Sequence, residues 1–442
     1  MLTIKAPKQE LRAAITLSGS KSISNRLLIL NEVLELNLSL KNISDSDDSS
    51  LLKQALQRIK NKSSSVIDIH HAGTDMRFLT AYLAAKKGEW MLTGSERMKQ
   101  RPIGELVTSL KNLGADITYL EKENFPPLKI NGKKLMGGAV EIDGSVSSQF
   151  VSALLLTAPT FENGLELTLK NQAVSWPYIK MTLDILSNCG VNVKHSDNII
   201  TINGSSFVNH KSSIINHKYF TVESDWSSAS YWYSICALSK NAIIELSYLT
   251  PDSLQADSLL PQLYNQLGVE TTFKEKSIVL SNKQLNIQEF SYDFINCPDI
   301  AQTIAVTCFG LGVKARLTGL KTLKVKETDR IVGLKTELEK FGATVDITEN
   351  SIEIRESRFE IQDARCKIQD ARFKTQDARS EIQVPEYRIE TYNDHRMAMS
   401  FAPLALIYNT LSIQNPEVVT KSYPTFWDDL KSVGFSVNSQ SK

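Results

Sequence analysis

Five times in this chain an apolar or aromatic residue stands four positions before a glycine that leads into β-forming residues. The segments are LKNLGADI (Leu110, Gly114), LSNCGVNV (Leu186, Gly190), YNQLGVET (Tyr264, Gly268), LEKFGATV (Leu338, Gly342) and LKSVGFSV (Leu430, Gly434). The physical reading is a helix whose last turn is closed by a left-handed glycine, followed by a strand. One such segment says little, because helix-glycine-strand punctuation is common. Here the glycines fall 76, 78, 74 and then 92 residues apart, and near-regular spacing predicts a repeated α/β unit. A degenerate sixth copy is read at residues 56–60 (LQRIK), ahead of VIDI. At 442 residues the chain is too long for one ordinary core, so two domains are expected.

The long last interval has a visible cause. QDAR stands at 362–365, 369–372 and 376–379, a strict period of seven. The heptad has too few apolar positions for a coiled coil. A low-complexity surface insertion over about 357–385, without a catalytic role, is expected.

Charge narrows the function class. Fifty basic residues against 49 acidic ones leave a net charge of +1, whereas nucleic-acid and membrane surfaces usually show a basic excess. Neither partner is expected, although a local basic pocket is compatible with the balance. Cys189, Cys236, Cys297, Cys308 and Cys366 are scattered, odd in number and never in C-x-x-C spacing. They imply neither a disulfide framework nor a zinc site, and they fit a reducing compartment. No signal peptide and no apolar run of about 18 residues is readable. A soluble cytoplasmic protein is expected.

The chemistry-bearing segments share a form: a small-residue turn, then an apolar helix. SGSKSISNR (18–26) puts hydroxyls and Lys21 at a helix start, with Ser22 and Arg26 on one face. It is not a P-loop, since Ser20 rather than glycine precedes the lysine. HAGTDMRFL (71–79) repeats the pattern with Gly73, Thr74 and Arg77. Arg101, in RMKQRPI (97–103), precedes a proline and is therefore held extended. SVSSQF (145–150) offers Ser147, Ser148 and Gln149 at a helix entrance. An ordinary polar cap, or for Arg101 a solvated charge run, fits each of these equally well taken alone. KVKETDR (324–330) is read as a helix start, which would put Lys326 and Arg330 on one face with Glu327 among cations, a tunable acid/base group. A surface salt-bridge lattice is the plainer reading. YNDHRMAM (392–399) pairs His395 with Arg396 before an apolar helix, and Lys421 lies beyond. His395 has no second histidine or cysteine at ligand spacing, so no metal site is expected.

Taken together and in order, GSKSISNR, AGTDMR, ERMKQRPIGELV, DGSVSSQF, VKETDR and TYNDHRMAM resemble the EPSP synthases, a family of enolpyruvyl transferases. The resemblance runs from about residue 18 to 424, apart from the QDAR insertion. It implies an α/β fold of two similar domains, each of three βαβαββ units (an inside-out α/β barrel), with the active site in the cleft between them. One domain would comprise residues 21–225 and the other 1–20 plus 226–442. The implied activity moves the enolpyruvyl group of phosphoenolpyruvate onto the 5-hydroxyl of shikimate 3-phosphate, in a monomer without metal or organic cofactor. Domain closure would exclude water.

By the same resemblance, Lys21, Gly73, Arg101, Gln149, Arg330, Arg396 and Lys421 would surround phosphoenolpyruvate, supported by Thr74 and Arg77. Lys21, Ser22, Arg26, Ser147, Ser148, Gln149, Ser175, Tyr178, Asp299 and Lys326 would hold shikimate 3-phosphate. Lys21, Asp299, Glu327 and His395 would be catalytic, with Glu327 and Lys21 as acid and base and Asp299 helping to take the hydroxyl proton. Two phosphates and two carboxylates in one site would explain the many Lys and Arg in a neutral chain. His71 and Thr322 stand where the family commonly has asparagine, and Asp75 and Phe78 replace its usual alanine and proline. Glyphosate sensitivity is expected, because Gly73 leaves room. The rival within the fold is the transferase acting on a UDP-amino sugar, which typically carries a cysteine in a glycine-rich loop. A nucleotide enzyme and a non-catalytic anion-binding homologue are the others.

Overall fold

A computed structural model describes residues 1–171, 174–204, 219–357 and 387–439. The QDAR repeats and Cys366 lie outside the described residues. The chain divides into two compact units. One comprises Met1–Leu17, Trp226–Pro251 and Asp257–Lys442; the other comprises Ser18–Asp225 and Asp252–Ala256. Ser18, Gly19 and Ser20 thus group with the second unit.

The repeat is visible as a repeated sheet. Val66–Asp68 and Gly88–Thr93 pair in parallel, and Leu128–Gly132 then Asp116–Tyr119 add on antiparallel. In chain order the four strands lie 1-2-4-3. Gly138–Asp143, Leu165–Lys170, Ile199–Ile202 and Val193–Ser196 form the same arrangement in the second unit. The first unit holds three more. One is Leu11–Ile15, Ala242–Ser247, Ser277–Asn282 and Val269–Phe273. Another is Glu289–Asp293, Lys314–Thr318, Ile352–Ser357 and Ala343–Ile347. The last is Arg388–Ile389, Thr410–Ile413, Leu2–Lys5 and Ser436–Ser439. A parallel pair needs a crossover, and a helix such as Gly73–Ala85 supplies it.

Each predicted glycine closes a helix as expected. Gly114, Gly190, Gly268, Gly342 and Gly434 have φ of 101°, 82°, 84°, 86° and 96°. The apolar residue four before each is buried. At three of them the second residue past the helix cap bonds back five positions: Ala115 N–H to the Leu110 carbonyl, Val191 to Leu186, and Phe435 to Leu430. A Cβ on Gly342 would meet nothing within 4 Å, so the backbone angle, not space, demands glycine there.

The sixth copy needs correction. The helix Asp47–Lys60 ends without glycine, and Lys62 takes the left-handed turn at φ 49°. VIDI is not its third strand, because Val66–Asp68 opens the next sheet. Only residues 61–65 separate helix from strand, too few for an antiparallel pair. The copy keeps just its parallel strands, Ser39–Lys41 and Tyr219–Thr221.

Helices fill the interior of each unit while strands keep an exposed face. Gly73–Ala85 buries eleven of thirteen residues and Ala301–Leu311 ten of eleven, whereas Gly88–Thr93 alternates between buried and exposed positions. Apolar residues on nearly all sides of these helices drive that inversion. No helix among the described residues is long and apolar enough to cross a membrane.

Candidate active site

The repeat places the chemistry. In each copy the chain enters a helix from a sheet end, and helix N-termini present free N–H groups and a positive dipole end. The entrances to Lys21–Val33, Gly73–Ala85 and Ser148–Thr157 carry Lys21, Ser22, Gly73, Thr74, Ser147, Ser148 and Gln149 in the second unit. Those of Ala301–Leu311, Arg330–Lys340 and His395–Phe401 carry Asp299, Glu327, Arg330, His395 and Arg396 in the first.

In the second unit, Ser20 caps the first helix by accepting from the Ile23 N–H. Lys21 places its Nζ 3.1 Å from Asp48, and its N–H donates to Asp225 at 3.3 Å. Arg26 is buried. Its Nε donates to Thr182 at 2.8 Å, Nη1 to the Ser22 carbonyl at 2.8 Å, and Nη2 to Ser152 and the Tyr178 carbonyl at 3.2 and 3.1 Å. Phe78 lies beneath the guanidinium at 5.5 Å. Burial pulls Arg26 down to about 10, with Tyr178 opposing; it is still charged at neutral pH. Arg77 is buried too. It donates to the Gly73 carbonyl and the Pro102 carbonyl, both at 3.0 Å. Burial first, then nearby Arg101, hold it well below the usual arginine value.

Arg101 is extended as expected, at φ −93° and ψ 124°. Its guanidinium covers Gly73 so closely that a Cβ there would sit 2.3 Å from Nη1. Gln149 donates to Thr74 at 3.2 Å, and Ser147 caps its helix by accepting from the Gln149 N–H. Ser175, left-handed at φ 54°, precedes the helix that carries Tyr178. Among the described residues, none of Arg26, Arg77 and Arg101 pairs with a carboxylate. A buried cation without an anion is costly; Arg26 and Arg77 are buried and Arg101 half-buried beside Gly73, a set suited to anionic ligands.

In the first unit the cations are interleaved with acids. Asp299 faces Lys326 at 3.6 Å, Arg330 at 3.4 Å and Arg396 at 3.1 Å. Glu327 accepts from Arg330 at 2.9 Å and from Lys421. Asp394 takes Arg330 on both oxygens, Nε at 2.7 Å and Nη2 at 3.3 Å. Four cations thus face three carboxylates. Burial lowers the Arg330 value, but Asp394 and Glu327 outweigh it and raise it overall. Lys326 is pulled up by Asp299, yet burial and the neighbouring arginines bring it down on balance. His395 is buried with Nδ1 3.8 Å from Asp394.

Two sequence readings change. The stretch 326–329 is not a helix: Lys321–Val325 forms a 3-10 turn, Lys326 sits at ψ −148°, and the helix begins at Arg330 behind an Asp329 cap. Lys326, Glu327 and Arg330 converge through that loop rather than along one helix face. Asp394 and Asp48 were not among the expected residues. Both stand at helix starts, Asp394 as a cap accepting from the Arg396 N–H and Asp48 in a first turn behind the Ser46 cap, and an acid at a cap or in a first turn is the signal that could have found them. Of the departures, Asp75 accepts from Asn25 at 2.8 Å and His71 meets Ser95 at 2.8 Å.

The chain is similar to known proteins of one family. The family model described as EPSP synthase (3-phosphoshikimate 1-carboxyvinyltransferase) matches residues 54–430. A protein of that name from Bacteroides fragilis is 42% identical over 435 residues, covering 98% of both chains. One from Vibrio campbellii is 34% identical, covering 97% of this chain and 98% of its own. The solved EPSP synthase from Acinetobacter baumannii superposes with a TM-score of 0.73 at 21% identity, over 99% of this chain and 100% of its own, which shows the fold. With a family model across most of its length and relatives matched end to end, the chain belongs to the EPSP synthase (3-phosphoshikimate 1-carboxyvinyltransferase) family.

Proposed function

We propose that this protein transfers the enolpyruvyl group of phosphoenolpyruvate to the 5-hydroxyl of shikimate 3-phosphate, releasing phosphate, in the shikimate pathway. The observation that carries the reading is the set Arg26, Arg77 and Arg101, three cations without a carboxylate partner among the described residues. Arg26, with Ser22, Ser147, Ser148, Gln149, Ser175, Tyr178 and Lys326, binds shikimate 3-phosphate. Lys21, Arg101, Arg330, Arg396 and Lys421 hold phosphoenolpyruvate beside Gly73, with Thr74 and Arg77 in support. Guanidinium forks suit the paired oxygens of carboxylate and phosphate.

The chemistry is addition and then elimination. A proton moves from Glu327 to the methylene carbon, leaving a cationic carbon that the 5-hydroxyl attacks while Asp299 takes the hydroxyl proton. In the reverse proton transfer the tetrahedral adduct returns a methyl proton to the Glu327 carboxylate, with Lys21 as the other member of the acid/base pair, while the carbon–oxygen bond to phosphate breaks and phosphate leaves. His395, buried at the helix start between Asp394 and Arg396, completes the catalytic set. Incubation with both substrates, followed by mass spectrometry, should show an enolpyruvyl ether of shikimate 3-phosphate. Unchanged shikimate 3-phosphate would contradict the reading.

The cysteines speak against the UDP-amino sugar reading. Cys189, Cys236, Cys297 and Cys308 are buried and free, and burial pushes the Cys189 and Cys236 thiols up to about 12. None is a poised thiolate. Free thiols also fit the cytoplasmic monomer that we include in this proposal.

Two variants probe the anion sites. Arg26→Met should weaken shikimate 3-phosphate binding about a hundredfold while leaving stability within about 1 kcal/mol of wild type. Thr182 stays within reach of Ser152 at 2.9 Å and the Tyr178 carbonyl at 3.0 Å, so little is left unsatisfied. Calorimetric titration and urea unfolding read the two effects. The wild type should be glyphosate-sensitive, and Gly73→Ala should raise the inhibition constant about tenfold or more, since the new methyl must displace Arg101. Equal resistance of the two proteins would count against this placement.

A further inference from the structure

Glu337 lies seven residues beyond Arg330, on the same face of the helix Arg330–Lys340 and about 10 Å along it. It is fully buried, although Glu almost never is unless paired. Its Oε1 accepts from the Tyr392 hydroxyl at 2.6 Å. Its Oε2 accepts from the Glu390 N–H at 3.2 Å and from Lys340 at 2.7 Å. Between these anchor points the Tyr392 ring packs over Gly333, where a Cβ would stand in ordinary contact, 3.6 Å from Cδ2. The segment so gripped is strained, for Tyr392 and Asn393 are both left-handed, at φ 52° and 56°. Consecutive non-glycine residues of that kind persist only when their surroundings hold them. The turn ends at Asp394, which binds Arg330 on both oxygens and caps the helix that starts with His395 and Arg396.

We propose that Glu337 is a positioning residue for the transfer reaction: through Tyr392 and the Glu390 backbone it fixes the turn that delivers Asp394 to Arg330. One helix thus grips one turn at two points, and the second point sets the geometry of the first. Loss of the clasp lets Asp394 drift, and Arg330 and Arg396, which approach Asp299 at 3.4 and 3.1 Å, lose their fixed spacing. The role rests on the proposed assignment of those two arginines to phosphoenolpyruvate.

The test uses the full-length chain and steady-state kinetics with each substrate varied in turn. Tyr392→Phe and Glu337→Gln should each raise KM for phosphoenolpyruvate about tenfold while KM for shikimate 3-phosphate stays within about twofold. The double variant should be no worse than the more affected single one, because both break one clasp. Lys340→Met removes the ion pair to Glu337 and a bond to the Arg388 carbonyl but leaves the Tyr392 and Glu390 contacts in place, so it should keep both KM values within about twofold of wild type even where it lowers stability. If Glu337→Gln does not fold, Tyr392→Phe carries the test, since it keeps the ring and removes one oxygen. An active wild type with unchanged KM values in Tyr392→Phe, or with both KM values raised together, overturns the role alone. A wild type without turnover sinks the functional reading and this role with it.

Discussion

Glu327→Gln should lower kcat by about a hundredfold to ten-thousandfold, the range that a positioned acid or base contributes. The substitution keeps the shape of the side chain and removes its exchangeable proton. It also turns an ion pair with Arg330, at 2.9 Å, and one with Lys421 into contacts with a neutral amide. Because Glu327 faces cations at both oxygens, its carboxylate is held in place, and the loss appears in kcat more than in KM for shikimate 3-phosphate. Lys21→Met is the companion variant. It removes a cation paired with Asp48 at 3.1 Å and should impair binding as well as turnover. Steady-state and single-turnover kinetics on both separate the two. Full turnover in Glu327→Gln alongside an inactive Lys21→Met would show that Glu327 has no essential proton role.

Arg330→Met should destabilise the protein by about 3–5 kcal/mol, the usual cost of removing one partner from a buried ion pair. The reason is Asp394, fully buried, which takes Arg330 on both oxygens. Without the guanidinium it becomes a carboxylate held in a dry interior. Arg330→Lys keeps the charge but not the fork, so it should fall between wild type and Met. Urea unfolding measures all three. Arg26 differs: among the described residues it has no carboxylate to strand, so its removal should harm binding and not folding. An Arg330→Met midpoint equal to wild type would mean that Asp394 finds another partner or a proton.

Much of the fold is legible in the sequence, for a local reason. A helix closed by a left-handed glycine is decided by a few neighbouring residues, so Gly114 to Gly434 marked five copies by themselves. Sheet closure is decided elsewhere. Leu2–Lys5 pairs with Thr410–Ile413 and Ser436–Ser439, some four hundred positions away, and nothing in either segment names the other. The sixth copy misled because VIDI follows LQRIK as a strand should, while five intervening residues leave no room for the missing pair. The site divides the same way. Residues that face the proposed substrates, such as Lys21, Arg101 and Glu327, sit in short polar turns before apolar helices. Asp394 and Glu337 face protein instead: along the chain Asp394 shows only as a helix cap, and Glu337 looks like any surface acid. The stretch 326–329 reads as helix in the sequence because Asp329, a good cap residue and the cap of Arg330–Lys340, looks there like one more charge in a run.

The most direct test is phosphate release from phosphoenolpyruvate, measured in parallel with shikimate 3-phosphate, with a UDP-amino sugar and with no acceptor. Release that requires shikimate 3-phosphate, and is absent with the other two, is the predicted result. Release with the sugar nucleotide, or none with either acceptor from a folded protein, would contradict it: the first would reassign the acceptor, and the second would leave the three unpaired arginines as a binding site without the transfer.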